Sequence, residues 1–65
     1  MKLNEIQVNG FYKTFVQAKL RDNRLEEIEL IARVSGKTSE ELVEVQFPPI
    51  AVVYYMNPSD LYPIG

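Results

Sequence analysis

Leu25-Glu26-Glu27-Ile28-Glu29-Leu30-Ile31-Ala32-Arg33-Val34 is the stretch on which the fold turns, because it reads in two ways. As a strand it places Ile28, Leu30, Ala32 and Val34 on one face and Glu27, Glu29, Ile31 and Arg33 on the other, with Ile31 alone out of place. As a helix it places Leu25, Ile28, Ile31 and Ala32 in a stripe that Asn23 could cap and Gly36 could end. That helix leaves Leu30 and Val34 on the wrong side. The strand accounts for more of the residues, and an α+β arrangement with a helix at about 24–34 is the alternative.

The flanks fit the strand. Arg21-Asp22-Asn23-Arg24 is a polar turn between apolar-patterned stretches. Before it, Tyr12, Val16, Ala18 and Leu20 share one face of a strand; Lys13, Gln17 and Lys19 share the other with Phe11 and Phe15. Asn9-Gly10, which tolerates positive φ, marks a turn ahead of that strand. After the deciding stretch, Ser35-Gly36-Lys37-Thr38-Ser39 reads as a loop. Val43, Val45 and Phe47 alternate with Glu44 and Gln46 as in a strand, until Pro48-Pro49 removes the donors a ladder needs. Ile50-Ala51-Val52-Val53-Tyr54-Tyr55-Met56 has no polar face, the composition of a strand covered on both sides. One small barrel covers a strand on one side, so a second surface, such as a partner chain, is expected here. The pattern as a whole predicts one all-β domain over residues 1–65, a small barrel of four to five antiparallel strands.

Composition narrows what such a domain can do. A chain of 65 residues has room for one small core, and domains of this size usually need a staple. With 0 cysteines and 0 histidines, disulfides and the ordinary zinc ligands are excluded, which leaves packing or self-association. Zero cysteines also suits a cytoplasmic location. Residues 1–20 carry Lys2, Glu5, Lys13 and Lys19 with no continuous apolar run, so no signal peptide is expected, and no stretch is long and apolar enough to span a membrane. The usual general base and soft nucleophile are both missing, so no catalytic residue, metal site or cofactor is assigned. The clusters Glu26, Glu27, Glu29 and Glu40, Glu41, Glu44 read as solvated faces.

The closing segment Pro58-Ser59-Asp60-Leu61-Tyr62-Pro63-Ile64 resembles the end of SH3-like barrels, where a one-turn 3₁₀ segment leads into a short last strand. Ile6-Gln7-Val8-Asn9-Gly10, followed by Phe11-Tyr12, is similar to the lead-in of their first strand. The resemblance covers about fifteen residues and implies a fold in which Leu61 plugs the open end of the barrel. Independently of it, Pro58 suits the start of a turn, and Ser59 and Asp60 can accept bonds from backbone donors. The chain departs from proline-binding SH3 domains in having 0 tryptophans, and Phe11-Tyr12-Lys13-Thr14-Phe15 does not match their first-loop tyrosine motif. The resemblance therefore implies an architecture and no ligand.

Two functions follow as expectations. The first is a non-catalytic protein-interaction or assembly module, self-associating into a homo-oligomer, with Tyr54, Tyr55, Met56, Tyr62, Phe11 and Phe15 as contacts. Tyrosines combine apolar area with a hydroxyl, and Tyr54 and Tyr55, being adjacent in a strand, cannot both enter one core. The second is a nucleic-acid-associated module in which Lys13, Lys19, Arg21 and Arg24 surround the Phe11 and Phe15 face as a stacking platform. The overall charge of −2 speaks against the second. The two are separated by whether the cations flank an exposed aromatic face or are covered by the acidic strands.

Overall fold

The computed structural model describes residues 1–65. The chain is all-β: strands β1 (Phe11–Lys19), β2 (Leu25–Lys37), β3 (Val43–Gln46) and β4 (Val53–Met56) form one antiparallel sheet in the order β1-β2-β3-β4. One-turn 3₁₀ segments, Leu3–Glu5 and Pro58–Asp60, lie before and after it. Residues 25–37 are strand throughout, which rejects the helix alternative. The alternation is the reason. Ala32 and Val34 are fully buried while Ile31 on the opposite face is half exposed, as the strand reading requires.

Two differences from the sequence reading concern β2 and β4. Ser35-Gly36-Lys37 is not loop but the end of β2, continued through a bulge between Val34 and Gly36, and the loop is confined to residues 38–42. Of the apolar run Ile50–Met56, only Val53–Met56 is strand, because Phe47-Pro48-Pro49-Ile50 forms a turn in which the Ile50 N–H donates to the Phe47 carbonyl at 2.7 Å. No helix is long and apolar enough to cross a membrane.

Three turns need a residue in the left-handed region, and the sequence supplies asparagine at two of them. Asn9 (φ 71°) sits in the turn closed by Gly10 N–H to the Gln7 carbonyl at 3.0 Å. Gly10 itself is required by space, since a Cβ there would stand 2.9 Å from the Gln7 carbonyl oxygen. Asn23 (φ 65°) ends the β1–β2 hairpin loop, in which Leu20 N–H donates to the Arg24 carbonyl and Asn23 N–H to the Leu20 carbonyl. The β2–β3 loop repeats this design with Glu41 (φ 63°) in the left-handed position, and Thr38 Oγ1 accepts from the Glu40 and Leu42 N–H groups.

The core lies at one end of the sheet. Ala32, Val34, Val43 and Val45 project from one face of β2 and β3, and Ile6 and Leu61 cover them from the two flanking segments. Leu61 reaches its place because the tail is tied down at several points. Tyr62 and Lys13 exchange backbone hydrogen bonds at 2.9 Å in both directions, and the buried Thr14 hydroxyl donates to the Asp60 carbonyl at 2.8 Å. The Met1 amino group donates to the Pro58 and Leu61 carbonyls at 3.2 Å. The side chains of Ser59 and Asp60, expected to accept bonds in this turn, make none; the Asp60 backbone carbonyl is used instead. Lys13–Tyr62 is a single bridge, so the tail spans one edge of an otherwise open sheet.

Two stability effects follow. Leu61→Ala is expected to destabilise the fold by about 2–5 kcal/mol, read from urea unfolding, because it empties the covered end of the core. Glu41→Gly is expected to stabilise by about 1 kcal/mol, a rise in Tm of roughly 4–8 °C by calorimetry, because it relieves a non-glycine left-handed conformation.

Candidate interaction surface

The sheet is longer than its core. Beyond Ala32 and Thr14, β1 and β2 continue as a hairpin arm whose Leu25 and Ile28 are exposed, and the molecule is elongated, 39 × 25 × 22 Å. On the core-facing side, where the core ends, the sheet opens into an apolar groove of about 480 Å³. Val16, Leu30, Phe47, Ile50, Tyr54 and Met56 line it. Their placement is a matter of parity. Val16 and Leu30 share the face of Thr14 and Ala32, and Tyr54 lies opposite buried Val45 in the β3–β4 ladder. Tyr54 rests against Phe47 with ring centroids 5.4 Å apart. Met56 packs against the buried cluster and marks where groove and core meet.

Tyr55 emerges on the other face, next to Glu44 and beside the β2–β3 loop. Neither adjacent tyrosine is in the core: Tyr54 is 46% and Tyr55 59% exposed. The run Ile50–Met56, read as covered on both faces, is open on both, with Ile50, Val52 and Val53 exposed as well.

The six expected contacts therefore fall into two groups. Tyr54, Tyr55 and Met56 belong to β4, Tyr54 and Met56 on its groove side and Tyr55 on the opposite face. Phe11, Phe15 and Tyr62 lie on the outer face of β1, where the Phe15 and Tyr62 rings meet edge to face at 5.6 Å. Exposed Ile31 lies on that face too, paired across the ladder with Lys13, which accounts for the one apolar residue that broke the alternation of β2. Sequence reasoning missed Val16, Leu30, Phe47 and Ile50 as groove residues. Their apolar character was legible, but nothing local distinguishes a core position from one where the core has run out.

The cations are distributed differently from a stacking platform. β1 lies against the acidic strand, so Phe15 faces Glu29 and Gln17 faces Glu27 across the ladder. Lys13 Nζ is 3.8 Å from Glu29 Oε1, and Arg24 pairs with Asp22 within the hairpin loop. Lys19 and Arg21 make no ion pair and sit toward the end of the arm, away from Phe11. Arg33 donates to Asn9 Oδ1 at 2.7 Å. Carboxylates thus occupy the face on which phosphates would have to lie. Nowhere do three acidic side chains converge in a geometry that would hold a metal ion.

Comparison with protein-family models, with curated proteins and with solved structures finds no match. The groove's chemistry is testable directly. An apolar fluorescent dye is expected to bind the folded chain, with emission reduced several-fold in Ile50→Asp while the circular dichroism is unchanged. Unchanged emission in that variant would place the dye elsewhere.

Proposed function

We propose that this chain is a non-catalytic interaction and assembly module that associates with copies of itself, using β4 and the groove beside it as the contact surface. One observation carries the reading. The chain exposes 4846 Å². A compact folded protein of its mass exposes about 4,250 Å². The surplus of roughly 600 Å² is close to the ~800 Å² that each partner contributes to a standard interface. Its radius of gyration is 12.5 Å, against about 10.7 Å for a compact domain of this length. Both departures arise from the arm and from an apolar segment that the chain leaves uncovered.

Zero histidines and zero cysteines support the non-catalytic part of the reading, and zero cysteines suits a cytoplasmic setting. Within this proposal the resemblance to SH3-like barrels extends only to the path of the chain, a four-strand meander, a 3₁₀ turn and a return to β1, since the sheet stays open and β1 and β4 do not pair. In this reading the tail acts as a terminal plug and not as part of a peptide groove.

Light scattering across micromolar concentrations tests the reading. The mass is expected to exceed 7.5 kDa and to rise with concentration. A strict monomer throughout would overturn self-association.

A further inference from the structure

We infer that two copies join through β4, edge to edge and antiparallel, so that two open four-stranded sheets become one continuous eight-stranded sheet about a two-fold axis. The inference rests on the self-association proposed above and names the pairing that produces it.

Backbone direction identifies the available edge. Val34 commits both its backbone groups toward the β1 side, accepting from Asn9 N–H at 2.7 Å and donating to the Gly10 carbonyl at 2.9 Å. Its ladder partner in β3, Val45, therefore directs its own groups to Tyr54 in β4. By alternation, Tyr54 and Met56 bond to β3, while Val53 and Tyr55 point their N–H and C=O groups out of the sheet. No other segment of the chain meets them. Natural edge strands are guarded by charge, proline or a bulge. Here residues 50–56 contain none of the three.

The other edge differs. β1 is bridged by Tyr62 at Lys13, and Lys13 and Lys19 stand along it, so two copies of β1 would bring like charges together.

The occupant of the β4 edge is a second copy because the segment is compatible with itself. Residues 45–59 carry no charge, so an antiparallel copy meets no repulsion. Valine and tyrosine form good cross-strand neighbours in either register. A two-fold pairing uses the same edge on both chains and closes, which gives a dimer and not a filament. It also brings the exposed Val53 and Tyr55 of both copies together.

Amide hydrogen exchange followed by NMR, at concentrations below and above the association midpoint, tests the pairing on the unmodified chain. The Val53 and Tyr55 amides are expected to exchange about tenfold more slowly or better in the associated state. The Gln17 and Lys19 amides are expected to keep their rates. In Val53→Lys, which places a charge on an already exposed edge position, the mass is expected to stay at 7.5 kDa with the circular dichroism unchanged. Protection at Gln17 and Lys19 in place of Val53 and Tyr55 would overturn the β4 pairing and leave self-association standing. Association with no change at either edge would do the same. A chain that never exceeds the monomer mass would overturn both.

Discussion

Everything in this molecule depends on Leu61 reaching the buried end of an open sheet. A single sheet has one apolar face to hide and nothing of its own to hide it with. Here Leu61 and Ile6 provide the second layer, which is little more than two side chains. Burying one leucine contributes about 1.5–3 kcal/mol. Leu61 can deliver that only because its backbone is fixed by the two-way bridge between Tyr62 and Lys13 and by the Thr14 hydroxyl on the Asp60 carbonyl. The second of these also satisfies the hydroxyl that the burial of Thr14 would otherwise strand, while the Leu61 N–H donates to the Pro58 carbonyl and its own carbonyl accepts from the Met1 amino group.

The same economy explains the rest of the surface. Two covering segments of a few residues can close one end of the sheet and no more. Past the core the apolar face of β1, β2 and β4 continues as a groove, and β4 ends the sheet with bare backbone. The 7 fully buried residues lie at or beside the tied-down end. The elongated shape and the surplus area are consequences of a covering layer that stops short. A chain with cysteines or histidines could have stapled that end to itself. This one has neither.

Much of the fold was legible in residues because its signals are local. The alternation of Ile28, Leu30, Ala32 and Val34 identifies the strand and its buried face. Asn9-Gly10 and the polar run Arg21-Asp22-Asn23-Arg24 mark turns, and the asparagine of each adopts positive φ. The loop before Val43 was less legible, since Glu41 is an unusual choice for a left-handed position and Ser35–Lys37 has the composition of a loop although it pairs as strand. Of the candidate contacts, the adjacent Tyr54 and Tyr55 could be split between faces by parity alone. Whether either face was covered could not be read, because coverage is a property of distant segments.

By itself, then, the amino-acid sequence determined most of the strands, their facing, the two asparagine turns and the lack of histidine and cysteine, all of which follow from local periodicity and composition. Only the tertiary structure decided where the core ends. It set Phe15 and Lys13 among the glutamates of β2, placed Tyr62 against Phe15, and left Ile50–Met56 uncovered on both faces. The physical reason is that burial and edge pairing depend on which residues far apart in the chain come together. Here that was fixed by the few bonds that return the tail to β1.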